Sequence, residues 1–352
     1  MRIIVYPFDE TFLPVLYFLS EDPAFNSEIS LISPRGWGLV GKKYNYGKKT
    51  FIVESDFEKN VNECSEIWIV NSRYDLDVEK YIIPLINNVD DKKIIISKKL
   101  SINEKHEIDK NLKTCKVIFA NESNIDLSEE LNEYLFHISV PVIFVTGITE
   151  STDKFKVQLN LYSELSRIGY NVGLLSSSPE SILCGMPTLP ESLYDEQIST
   201  KRKILLLNQF IKKYELCENP EVLIIGVPGE ILMLSNYYIG HGGAISHIIS
   251  QAVKADSVVL CSMYNEIPSS DLISIGDQIS KRLGSDVKYH AVTNKTLNYE
   301  ETESEKRISY LTLSSDFVLK NSENYIHDNI YFSFLDQDIK RMACDIIEEL
   351  SK

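Results

Sequence analysis

The chain has 352 residues, 43% hydrophobic and 25% charged, which is enough to bury a sizeable core and more than one small core needs. A formal net charge of -15 at pH 7 repels phosphate backbones and anionic headgroups at long range, setting aside nucleic acid and membrane surfaces as partners. The six cysteines lie far apart with no C-x-x-C pair, excluding a zinc ribbon or a disulfide framework.

The amino terminus, "MRIIVYPFDETF", has too short an apolar run before Pro7 and Asp9 for a signal-peptide core, and no later segment has the apolar length of a transmembrane helix. A cytoplasmic protein is expected. Strands are expected at "RIIVY", "EISLIS", "SEIWIVN", "KKIIIS" and "CKVIFA", interleaved with the helical patterns "LPVLYFL", "VEKYIIPLI" and "SINEKHEIDKNL". Between the second and third strands, "SPRGWGLVGKKYNYGKK" reads either as a flexible anion- or peptide-binding loop, with Trp37 and Tyr44 giving amphipathic contact, or as a turn with solvated lysines.

After the polar stretch "NESNIDLSEELNEYLFHIS" the pattern restarts. "VIFVTG" is a strand and "KFKVQLNLYSELSRIGY" a helix with Phe155, Leu159, Tyr162, Leu165 and Ile168 on one stripe. There follow the strand "NVGLLS", the helix "KRKILLLNQFIKKYEL", the strand "EVLIIGVPG", the helix "AISHIISQAVK", the strand "SVVLCSMY", the helix "LISIGDQISKRL" and a closing helix in "DQDIKRMACDIIEEL". Cys261, inside its apolar run, reads as a buried small hydrophobe. The expected fold is α/β, with two domains of mainly parallel sheets: an amino-terminal domain over 1–138 and a P-loop NTPase-like domain over 139–352.

The second domain opens with "VIFVTGITESTDKF", a buried strand, Gly147, and Lys154 seven residues on. A strand-to-helix loop can hold phosphate because its backbone N–H groups and the helix amino terminus point at the anion. Here Asp153 brings a carboxylate and a Cβ where bare backbone is wanted, and neither Phe155 nor Lys156 offers an oxygen for magnesium. The loop resembles the variant P-loop of the dethiobiotin synthetase group, strand then G-T-D-T-x-x-G-K-T then helix; Gly147 and Lys154 match that pattern, and Thr149 and Glu150 fall near its polar positions. "PEVLIIGVPGEI" with "QAVKADSVVLCSMYNE" is similar to a two-domain P-loop family that includes D-glutamate N-acetyltransferases. Those relatives carry an acid where this chain has Gly226, followed by a turn that survives as Val227-Pro228-Gly229-Glu230. "SPRGWGLVGK", "TDKF", "GVPGEI" and "GHGGAISHIISQAV" together most resemble, over nearly the whole chain, a clostridial peptide maturation system family encoded beside radical-SAM maturases and Cys-rich precursor peptides.

The resemblance implies an accessory or modifying protein in ribosomal peptide natural-product maturation, with a precursor peptide or a maturation enzyme as partner. The loop is expected to bind a phosphate-bearing small molecule, ATP or coenzyme A, with Mg2+ as a candidate ion. Gly147, Thr149, Thr152, Lys154 and Gly229 are the candidate ligand contacts, Lys154 to phosphate and the threonines as hydroxyl donors. Asp153 is a candidate base or metal ligand; with Glu150 and Glu230 it makes a candidate magnesium set, against the alternative of exposed acids that bind nothing. His241 in "YYIGHGGAISH" is a candidate proton shuttle, against a plain close approach of glycine backbone. Ser176 to Ser178 form a candidate ligand-lining loop. Two other functions stay open, an acyltransferase or ATP-dependent ligase acting on a peptide or amino acid, and a leader-peptide scaffold with an empty loop; a homo-oligomer is open as well.

Overall fold

The computed structural model describes residues 1–74, 76–87, 89–112, 114–120, 132–239, 242–265, 268–325 and 328–352. The chain divides into two compact units, Met1–Ser123 with Pro179–Thr188, and Asn124–Ser178 with Leu189–Lys352. Residues 179–188 thus belong to the first unit although they follow a strand of the second.

The first unit holds β1 (Arg2–Tyr6), β2 (Glu28–Ile32), β3 (Lys43–Tyr46), β4 (Lys49–Glu54), β5 (Glu66–Ile69), β6 (Lys93–Ile96) and β7 (Lys116–Phe119), in the sheet order β3-β4-β2-β1-β5-β6-β7. All neighbours are parallel except β3 and β4. Its helices are α1 (Leu13–Glu21), α2 (Phe57–Val61), α3 (Ile83–Ile86) and α4 (Ile102–Asn111). Helix α4 starts at a capping box, in which the Ser101 hydroxyl accepts from the Glu104 amide and the Glu104 carboxylate accepts from the Ser101 amide at 2.6 Å.

Part of the segment read as a loop is instead the β3–β4 hairpin at the sheet edge. Its alternating polar residues hide the strand period, since an edge strand exposes one face to water. Lys42 and Tyr44 both donate to the Glu10 carboxylate at 3.0 Å, Lys49 donates to the Phe25 carbonyl, and Trp37 packs on Tyr74. In the turn leaving β1, buried Asp9 accepts from the Thr11 amide at 2.8 Å, the Thr11 hydroxyl and the Arg73 amide. A built-in carboxylate already takes up those donors.

The second unit is a six-stranded, wholly parallel sheet of β8 (Val142–Gly147), β9 (Val172–Leu175), β10 (Val222–Gly226), β11 (Ser257–Ser262), β12 (Val287–Val292) and β15 (Ile330–Phe332), in the order β15-β12-β11-β8-β10-β9. Between β12 and β15 the chain forms an antiparallel hairpin of β13 (Lys295–Leu297) and β14 (Tyr310–Thr312). Helices α5 (Lys154–Arg167), α6 (Thr200–Glu218), α7 (Ala244–Ala252), α8 (Ser269–Leu283), α9 (Tyr299–Glu305), α10 (Ser315–Lys320) and α11 (Asp336–Leu350) complete it. Helix α7 packs against both α6 and α8, and α5 packs against α11; right-handed crossovers would put these two groups on opposite faces of the sheet. The strands are apolar end to end because both faces are covered. Between Gly284 and Leu335 the chain carries strands that the sequence reading did not contain; β12 holds a lysine and a buried histidine, His290, which break its apolar run.

The α5 stripe also differs from expectation. Val157, Gln158, Leu159, Leu161 and Leu165 are buried, whereas Ile168 is exposed. The inward face is rotated, and it carries one polar side chain, Gln158. Among the described residues no helix is long and apolar enough to cross a membrane.

The entry to β8 is clamped by Glu215 of α6, whose carboxylate accepts from the Ser139 amide and hydroxyl at 2.6 Å and from the Val140 amide at 3.2 Å while pairing with Lys212. Burial opposes its ionisation, yet hydrogen bonds from Lys212 and Ser139 hold its pKa below the ordinary value. Glu215→Ala should destabilise the fold by about 2–3 kcal/mol in urea titration, through lost charge-assisted bonds and orphaned amides. Because the folded pKa is the lower one, this contribution is present above the unfolded carboxyl pKa and disappears as pH falls through the folded one. Wild type and variant should therefore converge in strong acid.

Candidate functional site

Strand β8 is central, with Gly226 of β10 beside Val145 and Cys261 of β11 beside Gly147. The chain leaves β8 toward β9 on one side and leaves β11 toward β12 on the other. Their carboxyl ends therefore form a topological switch point, where open α/β sheets place ligands. The loop from Gly147 to Lys154 lies at that point.

Two glycines let the loop close. A Cβ on Gly147 would stand 2.3 Å from Thr152 Oγ1 and 2.6 Å from the Thr149 carbonyl oxygen, so the loop folds back over its own strand only because 147 has no side chain. A Cβ on Gly229 would stand 2.4 Å from the same Thr149 oxygen and 3.1 Å from Lys154 Nζ. The turn after β10 thus lies against the loop backbone, and Gly147, Thr149, Thr152, Lys154 and Gly229 come together as one cluster.

Within it the two threonines face inward. Thr152 Oγ1 donates to the Thr149 carbonyl at 3.3 Å and Thr149 Oγ1 to the Glu150 carbonyl at 3.0 Å, with both residues buried. Their hydroxyls brace the loop. The ammonium of Lys154 is different. Half-buried at the first position of α5, it forms no ion pair or hydrogen bond among the described residues. Burial pushes its pKa below the ordinary lysine value, while Glu150, Cys261 and Glu230 act the other way from beyond ion-pair range. The amides of Thr149, Glu150, Ser151 and Asp153 donate to no protein acceptor among the described residues. Ser151 and Asp153 are left-handed, at φ 60° and 56°, a turn conformation of the kind that gathers successive amides into an anion-binding hollow.

Asp153 was expected to repel phosphate or to serve as base or metal ligand. Its carboxylate is instead bound by Lys295 of β13 at 2.5 Å, with both side chains mostly buried. Lys295 also donates to the Ser151 carbonyl at 3.4 Å and lies over the Tyr310 ring, 4.4 Å from its centre. Burial disfavours the Lys295 charge, yet Asp153 and Tyr310 outweigh burial and raise its pKa. The pair neutralises the carboxylate at the loop.

The candidate magnesium set does not assemble: among the described residues no three acidic, histidine or cysteine side chains are placed to hold a metal. Asp153 is taken by Lys295, Glu150 is exposed, and buried Glu230, left-handed at φ 65°, accepts from Tyr238 Oη at 2.5 Å. Burial, then the Glu230 carboxylate, raises the pKa of Tyr238. His241 lies outside the described residues. Ser176 is buried and donates to Gln158 Oε1 at 2.8 Å, so it supports α5 instead of lining a ligand.

Lys295, Tyr238 and Gln158 were not foreseen. Lys295 and Tyr238 carry no local signal, Lys295 lying 142 residues from Asp153. Gln158 has one, a polar residue one turn after Lys154 within the apolar helix "KFKVQLNLY".

No family model matches the chain, and no curated protein matches it. Among solved structures it is similar to a DUF1611 family protein from Anabaena variabilis, at 11% identity and a TM-score of 0.63, over 100% of this chain and 99% of that one. It is also similar to the MinD cell division protein of Aquifex aeolicus, at 12% identity and a TM-score of 0.36, over 59% of this chain and 98% of that one. A third is cobyrinic acid a,c-diamide synthase of Mycobacterium smegmatis with bound ADP and magnesium, at 12% identity and a TM-score of 0.38, over 60% of this chain and 96% of that one. The first likeness runs the length of both chains and carries the fold. The chain is a two-unit α/β protein with mainly parallel sheets.

The Asp153–Lys295 pair yields a double-mutant test. Lys295→Ala leaves a mostly buried carboxylate unpaired and should cost about 2–4 kcal/mol in urea titration. Adding Asp153→Gly removes that charge and relieves a left-handed side chain, so the double variant should recover about 1–3 kcal/mol of the loss.

Proposed function

We propose that the second unit binds a phosphate-bearing small molecule, a nucleotide or coenzyme A, at the loop from Gly147 to Lys154. The observation that carries this reading is the Lys154 ammonium, half-buried, at the start of α5, with no counter-ion for it and no acceptor for four loop amides among the described residues. Holding a cation in that state is costly unless an anion compensates it, and a phosphate would supply the charge and the acceptor oxygens together. Gly147 and Gly229 let the loop close and bring the turn after β10 against it.

Within a cell we place this binding in ribosomal peptide natural-product maturation, with a precursor peptide or a maturation enzyme as partner. Support for that placement is the sequence resemblance over "SPRGWGLVGK", "TDKF", "GVPGEI" and "GHGGAISHIISQAV".

A thermal-shift screen of the purified chain against ATP, GTP, acetyl-coenzyme A and a precursor peptide, repeated on Lys154→Ala, tests the reading. Ligand at a hundred times its dissociation constant stabilises the native state by about 2.7 kcal/mol. We expect a shift with a nucleotide or coenzyme that is absent in Lys154→Ala; a shift with peptide alone, kept in Lys154→Ala, would show the loop to be empty and the protein a peptide-binding scaffold.

Binding should also depend on pH with a defined sign. The folded-state pKa of Lys154 lies below its unfolded value, so ligand-free stability from this group rises with pH between the two. A phosphate prefers the charged lysine. Affinity should therefore fall as pH rises through the lowered pKa, with proton uptake on binding that calorimetry in buffers of different ionisation enthalpy will register.

A further inference from the structure

The proposed phosphate site departs from others of its kind in what surrounds the phosphate, and the departures agree with one another. Magnesium in a P-loop takes a Ser or Thr hydroxyl directly after the lysine and a carboxylate from the end of a neighbouring strand. The position after Lys154 is Phe155, followed by Lys156. Strand β10, the neighbour of β8, ends in Gly226.

Gly226 is more than an acid deleted. A Cβ at this position would stand 2.5 Å from Gln158 Oε1, 2.6 Å from Nε2 and 2.7 Å from Cδ, so the Gln158 amide fills the ground that any side chain at 226 would need. Gln158 is fully buried and lies one turn after Lys154 on α5, with Oε1 held by Ser176. Its Nε2 has no hydrogen-bond partner among the described residues. An N–H donor suits an anion oxygen or a water and offers a metal nothing. Lys154, next to Asp153 in the chain, is unpaired among the described residues, and Lys295 is bound to the Asp153 carboxylate. Lys295 neutralises the Asp153 carboxylate and so removes it as a metal ligand, and the donor set for magnesium is replaced at each of its protein positions.

Resting on the phosphate-site reading, we propose that this loop binds its ligand without a divalent cation, with the Gln158 amide in the place of the second strand's carboxylate. The phosphate is then a handle by which a carrier-type ligand is held, in the manner of a coenzyme or a nucleoside diphosphate, and phosphoryl transfer is not the chemistry of the site.

The test is isothermal titration of the full chain with coenzyme A and with ADP, in EDTA and in millimolar magnesium, beside Lys154→Ala and Gln158→Glu. We expect wild-type dissociation constants in the two buffers to agree within about twofold, and Gln158→Glu, of the same size, to weaken binding in EDTA by about tenfold or more and to regain part of it with magnesium. Tightening of the wild type by magnesium of about tenfold or more would overturn the metal-free inference and leave the phosphate site standing. Gln158→Glu binding like wild type in EDTA would overturn the assignment of the amide to the carboxylate's place. Absence of heat with both probes in both buffers, with Lys154→Ala indistinguishable from wild type, would overturn the phosphate site and this inference with it.

Discussion

The contact on which the site depends is the approach of two stretches of backbone, the Thr149 carbonyl and Gly229. Neither chain segment could come so near if position 229 carried a side chain, and the loop could not turn back on β8 if 147 did. This proximity lets the inward threonines brace the loop and leaves one long side chain, Lys154, to reach the turn after β10. Backbone closeness of this sort is bought with glycine's conformational entropy, which is why such positions tolerate so little change.

Charge is divided unevenly around that contact. Asp153, the residue least suited to an anion site, is matched by a lysine from a distant hairpin, whereas Lys154, the residue best suited to one, is left unmatched among the described residues. An unpaired, partly desolvated cation beside a neutralised carboxylate gives the loop a local polarity opposite to the acidic chain as a whole. That polarity sits at a switch point of the sheet, where open α/β folds place ligands.

Much of the architecture was legible. Strands buried on both faces write themselves as unbroken β-branched runs, which is how β1, β6, β8, β10 and β11 could be read and how a parallel α/β class followed. The glycine-to-lysine spacing gave the frame of the loop for the same reason, since local geometry is encoded by adjacent residues. What could not be read was set by tertiary context. The edge hairpin β3–β4 alternates like a polar loop, β12 conceals a buried histidine, and the orientation of α5 was drawn from apolar residues that include Ile168, which the structure exposes. Chemistry that depends on distant partners was invisible too: Asp153 reads as a charge problem until Lys295 is seen beside it, and Gly226 reads as a simple loss until Gln158 is seen in its space.

The ten residues from Pro179 to Thr188 belong to the first unit but are encoded after β8, α5 and β9 of the second. Chains fold largely in the order they are made, amino-terminal units first. Here the first unit waits for a piece that the ribosome delivers only after the loop from Gly147 to Lys154 has emerged. Folding of the two units is therefore interleaved in time, and a cut placed between them by counting from the amino terminus would return a first unit lacking one of its own parts.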